Sequence, residues 1–155
     1  MKKIKISKNL IEGAVSFEKK DNLIKPWRLP FPRIKLFAPA ERLEGKSGET
    51  AGVRLRFRTD STTIALSVIP AETDEARIFD IVVNDNLCES KRLENGEDSV
   101  TFNNLPNENK IIEIWLTQKY PVVLNYLMID ESSKFEPVKD KRVKWVTYGS
   151  SISHC

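Results

Sequence analysis

The segment Val53-Arg54-Leu55-Arg56-Phe57-Arg58 constrains the fold more than any other stretch of this chain. Apolar and charged residues alternate strictly, so one side of the segment requires a core and the other does not. An α-helix cannot present that period, whereas a half-buried β-strand does. The turn cluster Thr59-Asp60-Ser61-Thr62 follows, and Thr63-Ile64-Ala65-Leu66-Ser67-Val68 returns as a second strand. Ile78–Val83 reads as a third and ends at Asn84-Asp85-Asn86. Shorter candidates are Gly13–Phe17, Arg33–Phe37 and Ser99–Phe102, and the two longest are Lys110–Leu116 and Val122–Ile129.

No stretch before residue 145 sustains the spacing of an amphipathic helix. Strands recur at intervals of roughly 8–12 residues with turn signals between them, and no βαβ rhythm is present. The pattern predicts an all-β, mainly antiparallel, jelly-roll-like sandwich over residues 1–130, with almost no helix. Val53, Leu55, Phe57, Ile64, Leu66, Ile81, Ile112, Ile114, Leu124 and Leu127 are the expected core. Residues 131–142 are polar, charged and hold Pro137, and read as an interdomain linker. From Val143 to Tyr148 the chain turns apolar again, as a strand buried on both faces of a parallel sheet would.

The 155 residues suffice for one domain with a core. The net charge of +3 conceals an asymmetry: residues 1–46 hold 12 Lys/Arg against 5 Asp/Glu, and the remainder 13 against 17. The lysines are scattered rather than gathered on one helix, so a solvated surface is expected and no nucleic-acid partner. No apolar run approaches the roughly 20 residues a membrane helix needs, so no membrane partner is expected. Met1-Lys2-Lys3-Ile4-Lys5-Ile6 is basic but lacks the apolar core of a secretory signal, so the expected location is cytoplasmic. Cys88 and Cys155 are then expected as free thiols. No Asp-x-Asp-x-Asp loop exists, and neither metal nor cofactor is expected.

The chemistry-bearing residues are at the end, in Lys144-Trp145-Val146-Thr147-Tyr148-Gly149-Ser150-Ser151-Ile152-Ser153-His154-Cys155. The order reads as a buried strand, a glycine turn, a serine at its tip and the start of a helix. A nucleophilic serine needs exposure at a sharp turn, a base for its proton and N–H donors for the oxyanion. The general elbow pattern Gly-x-Ser-x-Gly lacks its second glycine here, because Ser153 occupies that place.

Gly149-Ser150-Ser151-Ile152-Ser153 instead resembles block I of the SGNH (GDSL-type) hydrolases, in the Gly-Ser-Ser-Ile version of some two-domain members. Pro26-Trp27-Arg28-Leu29-Pro30, residues 51–61, Phe79–Val83 and Glu113–Leu116 resemble the N-terminal jelly-roll domain of such esterases. The resemblance implies that Ser151 is the nucleophile and that its backbone N–H shares in the oxyanion hole. Gly149, Ser150 and Ile152 support it as motif residues. It also implies a missing C-terminal catalytic domain that supplies an oxyanion glycine and asparagine and an Asp-x-x-His. The single histidine, His154, lies three residues after Ser151 and does not match the family's base. The 155-residue chain alone is therefore expected to be inactive, and its parent to hydrolyse an ester, with an acylated carbohydrate as the substrate class.

Two further roles stay open for the sandwich itself. One is a carbohydrate-binding module, with Trp27 as an exposed stacking platform and the stripe Arg54, Arg56, Arg58 as a ligand contact. The other is a structural or homo-oligomerising module that binds no ligand. For the arginines, a solvated face or a face packed on the catalytic domain is the simpler expectation. For Trp115, which alternates with its apolar neighbours, a core or sheet-face role is expected.

Overall fold

The computed structural model describes residues 1–37 and 40–143. Its strands are β1 (Lys2–Lys5), β2 (Ile11–Glu12), β3 (Ser16–Lys20), β4 (Leu23–Trp27), β5 (Arg54–Thr59), β6 (Ile64–Val68), β7 (Arg77–Val83), β8 (Asn86–Leu93), β9 (Ser99–Phe102), β10 (Lys110–Trp115), β11 (Leu124–Ile129) and β12 (Phe135–Pro137). They form two sheets among the described residues. Sheet I runs β3-β4-β11-β6-β9, with β1 also on β11; sheet II runs β12-β5-β10-β7-β8, with β2 also on β5. Every pairing is antiparallel. The architecture is an all-β sandwich, as the strand periodicity predicts.

The alternation in β5 divides as expected. Leu55 and Phe57 are fully buried, while Arg54, Arg56 and Arg58 lie on the outer face. All ten expected core residues are fully buried. They join Phe79, Phe102 and Ile129 in one cluster between the sheets. A register slip by one residue would drive arginines into that cluster, so the pattern fixes the pairing. Gly13 closes the core end beside β2: it has φ +86°, and a Cβ there would lie 2.2 Å from the Gly52 carbonyl oxygen.

Several local expectations were wrong for identifiable reasons. Arg33–Phe37 is not a strand; Phe31–Leu36 forms a 3₁₀-helix. Pro30 and Pro32 flank its start, fixing φ and removing N–H donors that a sheet would use. An α-helix, α1 (Ala40–Gly48), was not foreseen. Its sequence has no apolar stripe, so periodicity could not reveal it. Strand β3 begins three residues later than the expected Gly13–Phe17 segment. β8 escaped notice because only Leu93 among its residues is buried. The segment 131–142, read as a linker, carries β12, which pairs with β5 through Phe135, Glu136 and Pro137. Phe135 packs on Phe57 with ring centroids 5.2 Å apart, so this part of the segment belongs to the sandwich.

A polar knot holds the turn between β5 and β6. Asp130, at the end of β11, accepts hydrogen bonds from Ser61 Oγ (2.9 Å), Thr62 N (2.8 Å), Thr62 Oγ1 (3.0 Å) and Thr63 N (3.2 Å). Buried Lys110 donates from below to the Ser61 carbonyl at 2.7 Å. Burial lowers the Lys110 pKa, and Asp60, Glu108 and Asp130 oppose that shift. For Asp130, burial alone would raise the pKa, but the donors from Thr62, Ser61 and Thr63 outweigh it and the net shift is downward from 3.8.

A carboxylate depressed in the folded state stabilises the fold above its unfolded pKa and loses that contribution as pH falls through the folded value. The midpoint of urea unfolding is therefore expected to drop below about pH 4. In Asp130→Asn the stability should already be lower at pH 7, and the acid limb flatter, in a urea titration repeated across pH. An acid limb identical to that of the wild-type chain would show that this knot does not carry the effect.

Candidate functional site

The outer face of sheet II brings most of the singled-out charges together. Register places Glu113 of β10 opposite Arg56 of β5, and Trp115 opposite Arg54. Long side chains on neighbouring strands of one face can therefore meet. Arg56 Nη1 donates to Glu113 Oε1, and both side chains are nearly buried. The Arg54 guanidinium lies 4.6 Å from the Trp115 ring centroid, and Trp115 Nε1 donates to Glu113 Oε2 at 3.2 Å. Thus one carboxylate anchors two arginines and an indole.

The chain after β12 then crosses this face. Asp140 accepts from Arg54 Nη2 at 2.6 Å, and its own amide donates to Glu12 Oε1 at 3.3 Å. Arg142 reaches three carboxylates on three segments: Asp140 (2.7 Å), Glu113 (3.0 Å) and Asp85 (3.0 Å). Asp85 can be there because the two-residue turn Asn84-Asp85 joins β7 and β8 with both residues at positive φ, 48° and 66°. Asn and Asp tolerate that conformation, and it suits the twist of a hairpin. Hydrogen bonds from Arg142 hold the Asp140 carboxyl far below the ordinary range, and Asp140 in turn raises the Arg142 pKa. The Asp140–Arg142 pair therefore stays ionised well into the acid range. Arg58 stands apart: it is more exposed, and among the described residues it pairs with Glu136 at 3.5 Å.

A shallow cleft lies beside this network, bounded by Arg56, Arg58, Asp85 and the segment Glu136–Arg142. Within it Arg56, Arg58 and Arg142 face carboxylates, and exposed Lys139 and Lys141 add positive charge along its rim.

Trp27 does not stand on the surface. It is buried, stacked on Phe31 with ring centroids 4.6 Å apart, and Lys25 Nζ lies 4.2 Å from its ring. The end of α1 packs so closely there that a Cβ on Gly48 would lie 3.3 Å from the Trp27 ring. Trp27 therefore offers no face for a sugar to stack on. Trp115 is half-buried on the sheet face, as its position in the alternation implies. Ser151 and its motif neighbours Gly149, Ser150 and Ile152, together with His154, lie outside the described residues.

Sequence reasoning found the arginines but missed their partners Glu113, Asp140, Arg142, Asp85 and Glu12. Glu113 left one signal: a carboxylate between Ile112 and Ile114 in an otherwise apolar strand. Such a residue needs a cation on the same sheet face. Asp140 and Arg142 left none, because they come together only through the path of the C-terminal segment.

The fold is thus a two-sheet antiparallel sandwich whose outer face is partly occupied by its own exit segment. The SsfX3 N-terminal domain family matches residues 10–125, and the chain belongs to that family. Among solved structures it is similar to "Salicylyl-Acyltransferase SsfX3 from a Tetracycline Biosynthetic Pathway", with 28% identity, TM-score 0.85, and coverage of 99% of this chain and 47% of that one. The chain thus spans about half the length of that relative. The fold alone is shared with a GDSL-like lipase from Bacteroides ovatus (12% identity, TM-score 0.67, 84% and 41% covered). It is also shared with an acetyl xylan esterase, Est2A, from the rumen bacterium Butyrivibrio proteoclasticus (13% identity, TM-score 0.51, 87% and 32% covered). No curated protein matches the sequence.

Truncating Glu113 leaves Arg56, Arg54 and Arg142 short of a shared carboxylate in a nearly buried setting. Glu113→Ala should cost about 3–5 kcal/mol in urea unfolding, whereas Arg58→Ala should stay within about 0.5 kcal/mol. Equal effects of the two substitutions would contradict the division of the stripe into held and free arginines.

Proposed function

We propose that this chain is the N-terminal accessory domain of a GDSL-type acyl-ester enzyme and carries that enzyme's nucleophile at Ser151. The observation that carries the reading is the co-occurrence, in one chain, of an SsfX3-type N-terminal domain and, downstream of it, Gly149-Ser150-Ser151-Ile152-Ser153. Similarity to the salicylyl-acyltransferase over 99% of this chain supports it from a second direction.

In this reading the Ser151 Oγ attacks the acyl carbonyl as a base removes its proton, and the Ser151 backbone N–H donates to the oxyanion. The alcohol then departs with a proton from that base, leaving an acyl-serine. Water or a second alcohol resolves it, giving hydrolysis or acyl transfer respectively. Without a partner base, serine at its ordinary pKa is a poor nucleophile at neutral pH. The base, the acidic member and further oxyanion donors come from a catalytic domain C-terminal to this chain. An ester of a carbohydrate is the substrate class the motif resemblance favours, and the transferase relative adds an acceptor alcohol in place of water.

For the sandwich itself a structural role has the better support. Trp27 is buried, and Arg54 and Arg56 are occupied by Glu113, Asp140 and Trp115. A glycan would find neither an open aromatic platform nor free guanidinium groups at these positions.

The test is labelling by a fluorophosphonate and turnover of a p-nitrophenyl ester, for the 155-residue chain and for the longer product of the same reading frame. The short chain should be silent. The longer product should label at Ser151 and lose turnover on Ser151→Ala. Efficient turnover by the short chain, or no labelling of Ser151 in the longer product, would overturn the reading.

A further inference from the structure

The ion network covers only half of the outer face of sheet II. Register lays Arg56, Glu113, Val82 and Leu87 in one cross-strand row, and Arg54, Trp115, Asp80 and Ser90 in the next. The β5–β10 half of these rows is closed by Asp140 and Arg142. The β7–β8 half is open: Leu87 is 65% exposed, Ile78 is 45% exposed, and Val82 is half-buried. The remaining exposed large apolar residues of the sandwich, Met1, Val15, Leu36 and Ile69, fall on separate segments outside sheet II. They do not share a row.

The exit of the chain lies at the boundary between the two halves. Arg142 bridges Glu113, on the closed half, and Asp85, in the turn that opens β8 two residues before Leu87. Val143, the next residue, is 97% exposed. We propose that the β7–β8 half of this face, Ile78, Val82 and Leu87, is the seat on which the polypeptide following Val143 packs, with Arg142 as the pin that delivers it there. This rests on the reading that a catalytic domain follows.

Three observations favour that occupant. Among the described residues, the chain crosses this face last as it leaves the sandwich. Two carboxylates from separate strands or turns of the sandwich, Glu113 and Asp85, hold the one guanidinium beside the exit, which fixes its direction as a single surface pair would not. In the salicylyl-acyltransferase, moreover, the matched region is 47% of the polypeptide, so about half of that protein remains to be placed against its sandwich. Val82 and Leu87 share a row, Ile78 lies beyond the Asp80–Ser90 pair on the same strand face, and this apolar patch beside an ion network has the make-up of a small interface core with its polar rim.

The experiment uses the full-length polypeptide of the reading frame and the 155-residue chain, both with Cys88→Ser and Cys155→Ser. Leu87→Cys reports the seat, Ile78→Cys is a second probe of it, and Leu36→Cys reports a remote exposed site. Maleimide labelling at 87 and 78 should be about tenfold slower or more in the full-length protein, with position 36 unchanged, because a packed interface excludes the reagent with the water. Arg142→Ala in the full-length protein should speed labelling at 87. Equal rates at 87 and 78 in the two forms, protection at 36 instead, or a reading frame that ends near Cys155 would overturn the proposal. Protection at 87 without fluorophosphonate labelling of Ser151 would leave the seat standing and remove the esterase reading. The converse result would do the opposite.

Discussion

The Glu113 carboxylate is the interaction on which the outer half of this structure depends. It sits in the middle strand of a five-strand path, opposite Arg56, within reach of Arg54 and Arg142, and under the indole N–H of Trp115. A carboxylate there without cations would be expensive to desolvate, and three arginines without it would repel one another. Each therefore requires the others. The same alternation that sends Leu55 and Phe57 inward delivers the arginines outward, so core and network are two consequences of one strand pattern.

That network converts a polar segment into part of the domain. Residues 131–142 have the composition of a linker, yet β12 pairs with β5, Phe135 packs on Phe57, and Asp140 and Arg142 bind the face beyond. The exit of the chain is thereby held rather than free.

Much of the sandwich was legible because its information is local. Period-two alternation marked β5, β6, β7, β10 and β11, and their core residues followed. β8 and α1 were illegible for the opposite reason: one is an edge strand with a single buried residue, and the other lacks an apolar stripe. The prolines around Phe31 should have argued against a strand at Arg33–Phe37. The candidate site was legible only on one side. A stripe of arginines can be read from spacing, but which carboxylates answer it depends on register between strands far apart in sequence and on the path of residues 138–142. Trp27 illustrates the same limit, since a tryptophan between prolines resembles a surface platform until α1 and Phe31 close over it.

The central claim is that Glu113 and its arginines hold the exit segment on the sandwich. Amide hydrogen exchange of residues 138–142 tests it most directly, comparing the wild-type chain with Glu113→Gln. The Asp140 amide is bonded to the Glu12 side chain and so reports the docking of this segment, and the Arg142 amide is bonded to the Asp140 carboxylate that Arg54 holds. The account predicts exchange about tenfold faster or more at these amides in Glu113→Gln, with β11 unchanged, because a local opening is made easier without unfolding the core. Unchanged exchange at residues 138–142 would contradict it.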